Sequence, residues 1–435
     1  MFSSLRKRVR TIVRSDRARR AAPVVILCTT LVLMTALFVG CLHMAEWKRS
    51  RRTSVPEQPP AVIVDRQIRV RLFGRKPRVS EQLDITTAYA IVETSTGDSI
   101  VRSASPLRAA TVRPAPAGGI AIGDRTFDAD DILITPTLDA AVSLNNRTYR
   151  GRLRIQRADR GLTFTNLVDV EAYLRGVLRG ELPRSFHPEA FKTQAIAART
   201  YVLYQKRIAP LDRSFDVFDH EGSQVYLGVR GEDFVAVHAV ESTQGEVCVW
   251  DDGEKEDIFC TYYSSTCGGR SQPVDHVKAA ERRIPPLAGG VVCNDCYVSP
   301  YYRWNPIRLS RAEVTRRVVA RYPSIQKIGT VTKLVPKGVT PDGRIIRIEL
   351  IGSGGRNETL IGEDFRLCIG GRVLKSTNMT IEDAGGDFIF KDGKGFGHGV
   401  GLCQYGMETK AAHGMSYREI LAIYYPGSKV RKIYD

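Results

Sequence analysis

The stretch DVEAYLRGVLRGELPRSFHPEAFKTQAIAARTYVLYQ, residues 169–205, predicts two α-helices joined by a sharp bend. Asp169 is placed to cap the first helix through its side-chain oxygen. Pro183 disfavours helical geometry at the residue before it, so the first helix should end there. Pro188 suits the first position of the second helix. Glu181 is therefore expected to lie at the bend between the two helices.

The pattern of hydrophobic residues before these helices differs from the pattern after them. Before residue 168 the segments IRVRLF, ILITPTL and GRLRIQ alternate in hydrophobicity, and turns rich in Gly, Pro and Asn separate them. After it, helical patterns such as LSRAEVTRRVVARY and SYREILAIYY stand among mixed segments. We therefore predict an α+β fold, with a strand-rich N-terminal region at residues 66–167 and a mixed α/β region at residues 168–435.

The N-terminus carries the signals of a membrane anchor. Residues 21–45 contain no charged side chain and are long enough for a helix that spans a bilayer, and a basic tail at residues 1–20 precedes them. The positive-inside rule leaves this tail in the cytoplasm and exports everything beyond a linker at residues 46–65, into the periplasm or cell wall. A cleaved signal peptide is an alternative. A lipoprotein is another, because FVGC, ending at Cys41, loosely resembles a processing site.

The distribution of charge argues against a nucleic-acid-binding protein. The formal net charge is +17, but residues 1–60 hold twelve Lys and Arg against three acids, so +9 of it lies there. Only +8 remains for the rest of the chain. Such an excess beside an uncharged segment is typical of membrane topology. We therefore expect no nucleic-acid partner.

Cysteines suggest a metal site. Two of the nine lie in the membrane segment, and the seven that remain cannot all pair within one chain in an oxidising compartment. CNDC spaces two thiols as zinc ligands often are, and a tetrahedral zinc site needs four N or S ligands. The candidates are Cys260, Cys267, Cys293 and Cys296, with His276 as a substitute for the first. Two disulfides are the alternative.

Residues 168–205 closely resemble the signature of the SpoIID/LytB family, which is named for stage II sporulation protein D. The signature joins an acidic-aromatic-Leu helix, Glu-(Met or Leu)-Pro, Glu-Ala-(Phe or Leu)-Lys-x-Gln-Ala and Ala-Arg-Thr-Tyr. Further motifs follow in the family's order: SQVYLG, TYYSSTCGG, SPYYRW, RLCIGGRVLKST, GFGHGVGLCQYG and ILAIYYPG. The resemblance extends from about residue 66 to residue 435.

The resemblance implies a peptidoglycan lytic transglycosylase, with Glu181 of the Glu-x-Pro motif as its single acid/base. Such an enzyme cleaves between N-acetylmuramate and N-acetylglucosamine and closes the muramate C6 hydroxyl onto C1. One carboxyl group can suffice, because the nucleophile belongs to the substrate, whereas hydrolases usually need two. Protonation near neutral pH would require a raised pKa.

Several polar residues of the family motifs are candidates for glycan contact. They are Lys192, Gln194, Arg199, Tyr201, Ser264, His398 and Gln404. For Lys192 and Arg199 a structural salt bridge is the alternative, for Ser264 a turn cap, and for His398 a structural role in its Gly-rich loop. That loop lacks the spacing of a phosphate-binding loop. A cysteine hydrolase that pairs Cys403 with His398 is disfavoured, because relatives commonly have Ser at this position.

The same resemblance has implications for cofactors and partners. Some relatives with the CGG and CxxC pattern are zinc proteins, which favours a structural zinc that the chemistry itself does not need. The implied substrate is the glycan strand of peptidoglycan, in particular strands stripped of stem peptides. The alternative function is a non-catalytic wall-binding protein that activates or localises a cell-wall amidase.

Overall fold

The computed structural model describes residues 65–137 and 140–435. The predicted cytoplasmic tail and membrane helix, and nearly all of the predicted linker, lie outside the described residues. Within these residues, no helix is long and apolar enough to cross a membrane. Val64–Asp435 form one compact unit.

The N-terminal part is built from short strands, as the alternating segments predict. In β8, for example, every second residue of DILITP is buried, so one face packs on the core. The strands are β1 (Gln67–Arg71), β2 (Glu81–Ile85), β3 (Tyr89–Glu93), β4 (Ser99–Ser103), β5 (Leu107–Pro114), β6 (Ile120–Ile122), β7 (Arg125–Phe127), β8 (Asp131–Pro136), β9 (Val142–Leu144), β10 (Arg147–Tyr149), β11 (Arg152–Ala158) and β12 (Gly161–Asp169).

Helix α1 (Val170–Glu181) continues directly from β12, and its boundaries follow the predicted signals. The Asp169 side chain caps it by accepting a hydrogen bond from the Glu171 N–H. Leu182 is extended, with φ −120° and ψ 141°, as expected of a residue before proline. Helix α2 (Pro188–Ile208) begins with its proline in the first turn. The bend that carries Glu181 is therefore confirmed.

The remaining elements alternate between helices and short strands. In chain order they are β13 (Val217–Phe218), α3 (Phe234–Ser242), β14 (Glu246–Asp251), β15 (Glu256–Ile258), β16 (Tyr263–Ser264), β17 (Arg303–Trp304), β18 (Ile307–Ser310), α4 (Arg311–Arg321), β19 (Val331–Val339), β20 (Ile345–Gly352), β21 (Asn357–Ile361), α5 (Gly362–Ile369), β22 (Thr380–Asp383), β23 (Asp387–Lys391), β24 (Gly393–Lys394), β25 (Leu402–Cys403), α6 (Gln404–Ala412), α7 (Tyr417–Tyr424) and β26 (Ser428–Lys432). The mixed α/β architecture agrees with the predicted class.

The sheets connect the strand-rich part to the helices. A seven-stranded sheet has the order β13-β1-β12-β11-β8-β3-β4, and a six-stranded sheet has the order β10-β9-β2-β5-β6-β7. The strand β13 lies beyond α2 in sequence and pairs in parallel with β1, which brings the following loop next to the end of α1. The small pair β16-β25 brings together two distant family motifs.

The buried side chains fall into two hydrophobic clusters. The larger one joins the β-strands of the N-terminal part to α1, α2 and the C-terminal helices. The second lies between Trp304 and Phe390 and is formed by α4, α5 and the sheets β18-β23-β22 and β19-β20-β21. This separate core was not predicted from the sequence.

Candidate active site and cysteine cluster

Glu181 is held at the end of α1 by a loop that follows β13. Its Oε1 accepts a hydrogen bond of 2.7 Å from the backbone N–H of Val225. Gly180 permits this close approach, since a Cβ at that position would lie 2.2 Å from the Val225 carbonyl oxygen. The backbone thus fixes one carboxyl oxygen, and the side chain keeps some exposure to solvent.

The surroundings of Glu181 raise its pKa from an ordinary 4.5 to about 7. Burial is the main cause, because removing water disfavours the charged form. The Val225 N–H and the side chains of Gln404 and Tyr263 stabilise the carboxylate and lower the pKa, while the charge of Glu221 raises it. Near neutral pH the carboxyl is therefore able both to give and to take a proton.

A chain of buried polar groups orients Tyr263 beside this carboxyl. The Tyr263 hydroxyl accepts a hydrogen bond of 2.9 Å from Gln224 Nε2, and Tyr173 donates one of 3.1 Å to Gln224 Oε1. With its oxygen accepting from Gln224, the Tyr263 hydroxyl is left to donate towards Glu181. Ser264 of the same motif was predicted from the sequence as a site residue, and Tyr263 was not.

Two glutamines named from the sequence are buried without full hydrogen bonding. Neither amide atom of Gln194 has a hydrogen-bond partner within the described part of the chain. The Gln404 amide is near enough to Glu181 to lower its pKa, but Gln404 Nε2 lies outside ordinary hydrogen-bond geometry. Gln194 lies seven residues before Tyr201 on α2, and Tyr201 packs edge-on against Tyr263 with ring centroids 6.2 Å apart. Gln194 and Tyr201 therefore share one side of α2, and Tyr201 is near enough to Glu181 for the carboxyl to raise its pKa.

Arg199 and Lys192 make structural ion pairs. Arg199 is fully buried and contacts both carboxylate oxygens of Glu171, at 2.9 and 2.6 Å. Lys192 pairs with Glu189 on its own helix at 2.7 Å. These ion pairs favour the structural alternative over the predicted glycan contacts, because a carboxylate already neutralises each cation.

His398 and Ser264 lie where the Gly-rich loop meets β16. The Ser264 hydroxyl is buried and accepts a hydrogen bond of 3.2 Å from the Gly399 N–H, so it shapes the loop, as the turn-capping alternative anticipates. His398 packs edge-on against Tyr262, and its Nδ1 accepts from the Val400 N–H at 3.0 Å. Burial lowers the His398 pKa to about 4, so the ring is neutral at pH 7.

Four buried cysteines come together, but not quite the four predicted. The sulfurs of Cys267, Cys293, Cys296 and Cys403 all lie within 4.8 Å of one another. The fourth member is Cys403 and not Cys260, which instead accepts a hydrogen bond from Gln205 on α2. Nor does His276 take the fourth place, since its described contact is with Arg283.

The geometry of this cysteine cluster fits a tetrahedral metal site. The Cys267 and Cys296 sulfurs are 3.7 Å apart. Zinc–sulfur bonds of about 2.3 Å in a tetrahedron place sulfurs about 3.8 Å apart, whereas a disulfide bond is only about 2 Å long. Gly406 makes room for the cluster, because a Cβ there would lie 2.3 Å from the Cys293 sulfur.

Comparison with known proteins identifies the family. A sequence model described as SpoIID, stage II sporulation protein, matches residues 158–250, which include both helices and Glu181. An uncharacterized protein of Brachyspira hyodysenteriae is 30% identical over 290 residues, 66% of this chain and 73% of that protein. Stage II sporulation protein D of Bacillus subtilis is 27% identical over 277 residues, 60% of this chain and 74% of that protein.

A further relative is named for a different role. The amidase enhancer of Bacillus subtilis is 26% identical over 299 residues, which is 59% of this chain but only 40% of that protein. The family motif surrounds the carboxyl group at the end of α1, and the relatives agree with the family that this motif indicates. The chain therefore belongs to the SpoIID family.

Proposed function

We propose that this chain is a lytic transglycosylase that cleaves peptidoglycan glycan strands, with Glu181 as its acid/base. The observation that carries the proposal is the Glu181 carboxyl, whose pKa burial raises to about 7 while a backbone N–H fixes its orientation. A general acid/base works best with a pKa near the working pH. The family membership and the relative named an amidase enhancer agree with a role at the cell wall.

The reaction needs two proton transfers, and one carboxyl group can make both. The protonated Glu181 gives its proton to the oxygen between muramate and glucosamine as that bond breaks. The resulting carboxylate then takes the proton of the muramate C6 hydroxyl as this oxygen bonds to C1. Tyr263 and the Val225 N–H stabilise the carboxylate between the two transfers.

Two buried amides of the family motifs are suited to hold the sugar. An amide buried without hydrogen bonds costs free energy, and a hydroxyl-rich ligand can supply the missing partners. Both amide atoms of Gln194 lack a partner in the described chain, and the Gln404 amide lies near enough to Glu181 to act on its pKa. We therefore assign glycan contact to these two side chains, together with Tyr201, before Arg199 or Lys192.

We propose a structural zinc ion at the cysteine cluster. Four thiolates would hold it, and it would tie the Cys293–Cys296 turn to the start of α6. Cys403 directly precedes Gln404, so the metal would also steady a residue that acts on Glu181. A bound zinc ion supplies structural cross-linking here and is not needed for the proton transfers.

The topology proposal follows from the sequence. We propose that residues 21–45 anchor the chain in the cytoplasmic membrane and that the region with Glu181 is extracytoplasmic, where peptidoglycan is accessible. A non-catalytic role is the second candidate. It is favoured by the amidase enhancer relative, and it predicts stimulation of a cell-wall amidase without cleavage of glycan by this chain.

Replacing Glu181 by Gln distinguishes the two candidates. The amide keeps the size of the side chain and can still accept from the Val225 N–H, but it cannot cycle a proton. Loss of general acid/base assistance lowers rates by about 10²–10⁴-fold, so cleavage of peptide-free strands should nearly vanish. Full activity of a folded Glu181→Gln variant would contradict the assignment.

A further inference from the structure

Three arginines are gathered on two aromatic rings in the loop before Val225. The guanidinium carbons of Arg213 and Arg71 lie 4.0 and 4.9 Å from the Phe215 ring centroid. The guanidinium carbon of Arg75 lies 5.2 Å from that of Phe218. The two rings contact each other, with centroids 4.7 Å apart. These five residues form the arginine–aromatic cluster.

No carboxylate of the described residues forms an ion pair with the arginines of this cluster. Across residues 65–137 and 140–435, none of Arg71, Arg75 and Arg213 forms a salt bridge with a carboxylate. Two acids flank Arg213 in sequence: Asp212 forms no salt bridge with these arginines in the described chain, and Asp216 pairs with Arg69 at 2.7 Å. Arg71 donates to a serine hydroxyl, and its buried Nε has no partner in the described chain.

The like charges act on one another. Burial lowers the pKa of Arg71, and the charges of Arg154 and Arg213 lower it further. Burial likewise lowers the pKa of Arg213, where Asp216 opposes the shift and Arg75 adds to it. Crowding of cations without a partner is unfavourable for the folded chain alone, so a bound anion would relieve it.

The cluster is continuous with the site of Glu181. The Phe218 N–H donates a hydrogen bond of 3.1 Å to the Ser223 hydroxyl. Val225 lies two residues further on, a span of at most about 7 Å. Its own N–H donates to Glu181 at 2.7 Å. One short loop therefore joins the Phe218 backbone to the Glu181 carboxyl, a separation that a glycan strand is long enough to cover.

The charge of Arg213 also acts on Tyr201, which lies near Glu181. Burial is the main cause that raises the pKa of Tyr201, Glu181 adds to the shift, and Arg213 opposes it. Two acids lie between β13 and Val225, but Asp219 accepts the Phe73 N–H at 3.0 Å, and the exposed Glu221 acts on Glu181. Neither forms an ion pair with the cluster.

We propose that the arginine–aromatic cluster binds the free lactyl carboxylate of a muramate residue next to the cleaved bond. The inference rests on the proposed function. In a peptide-bearing strand this carboxyl group is an uncharged amide, whereas an amidase leaves it as a carboxylate. Guanidinium groups bind carboxylates through paired, charge-assisted hydrogen bonds. The cluster would thus select strands from which the peptides have been removed.

Binding to two forms of the same glycan tests the proposal. The full-length chain carrying Glu181→Gln is titrated calorimetrically with peptide-free strands, and with the same strands after their lactyl carboxylates are converted to neutral methylamides. We expect about tenfold weaker binding of the methylamides, which corresponds to about 1.4 kcal/mol. Adding Arg213→Gln should weaken binding of the carboxylate form and abolish the discrimination.

Two further variants control the experiment. Arg75→Gln alters an exposed position, so it should fold and reduce the discrimination even if Arg213→Gln does not fold. Arg356→Gln removes an exposed arginine in the loop between β20 and β21, and it should leave the discrimination at about tenfold.

The possible results separate the inference from the function on which it rests. Equal binding of both strands to the intact cluster would overturn the inference and leave the proposed function standing. Absence of binding to either strand would overturn both. If the arginines instead govern binding of a poly(glycerol phosphate) and not of the glycan carboxylate, the cluster serves a phosphate polymer and the inference is wrong.

Discussion

Replacing Glu181 by Gln should stabilise the folded chain in a pH-dependent way. The folded carboxyl has a pKa of about 7 against an ordinary 4.5, chiefly because burial disfavours its charge. Between these values the folded chain holds a proton that the unfolded chain has released, so stability falls as pH rises. At about 1.4 kcal/mol per unit, the loss is about 3 kcal/mol once the pH exceeds 7. The amide of the variant does not titrate, so the variant does not lose this stability.

The assay is a thermal unfolding series of the wild type and Glu181→Gln from pH 4 to pH 8. The stability of the variant relative to the wild type should increase as the pH rises through this window. The difference should disappear near pH 4, where the Glu181 carboxyl is protonated in both the folded and the unfolded chain. The variant should be the more stable chain because it lacks a carboxyl group whose pKa is raised on folding. The effect requires no substrate.

Glu189→Gln is a matched control with the opposite sign. Burial works to raise the Glu189 pKa, but Lys192 and the Tyr417 N–H outweigh it and hold the pKa below its ordinary value. This group stabilises the fold above that value and loses its effect as the pH falls, so its removal should destabilise the chain at pH 7. A Glu181→Gln variant that is equally or less stable than the wild type at pH 8 would refute the reasoning.

Four further outcomes are expected. Tyr263→Phe removes a group that lowers the Glu181 pKa, so the decline of activity at high pH should move upward by about one unit, as expected for a hydrogen bond to a charged group. Protein purified without added metal should contain about one zinc per chain by elemental analysis, and Cys403→Ser should lose it and unfold at lower temperature. Arg199→Met leaves a buried carboxylate unpaired and should cost about 3–5 kcal/mol in a denaturant titration. A reporter fused at residue 60 should be extracytoplasmic, and the full-length chain should sediment with membranes.

Each of these outcomes has a result that contradicts it. An unchanged pH profile in Tyr263→Phe would show that this hydroxyl does not act on Glu181, and Tyr226→Phe, which loses a buried hydrogen bond to Asn166, controls for stability. Mapped disulfides at the cysteine cluster without zinc would exclude the metal. A soluble, shortened product would remove the anchor. An Arg199→Met variant as stable as the wild type would mean that the buried ion pair is not structural.

Local signals predicted the helices that position the carboxyl. Asp169, Pro183 and Pro188 act on residues near them in sequence, and the observed helix boundaries follow all three. The partners of Glu181 could not be predicted in this way. The Val225 N–H lies 44 residues away along the chain, and its contact depends on how β13 pairs with β1.

The cysteine cluster shows the same limit. The CNDC spacing identified two ligands, and the CGG turn identified Cys267. The fourth sulfur comes from Cys403, 136 residues beyond Cys267, and it arrives because β25 pairs with β16. Cys260 is close in sequence, but its side chain lies against α2. Spacing alone cannot distinguish these two thiols.

For Arg199, the helical period predicted the face of α2 on which the side chain lies but not the residue with which it pairs. Residues seven apart do share a stripe on α2, but the stripe of Lys192 and Arg199 lies opposite that of Gln194 and Tyr201, and there Arg199 meets Glu171. A guanidinium group that is fully buried needs a carboxylate nearby, and the sequence alone did not reveal that Glu171 supplies it.

The ends of the glycan products test the central claim most directly. Purified, peptide-free strands are digested with the wild-type chain in water labelled with a heavy oxygen isotope, and the products are analysed by mass spectrometry. Attack by the muramate C6 hydroxyl predicts 1,6-anhydro-N-acetylmuramate ends that carry no label, and none in the Glu181→Gln digest. Reducing muramate ends that carry the label, or intact strands with wild-type protein, would contradict the proposed chemistry.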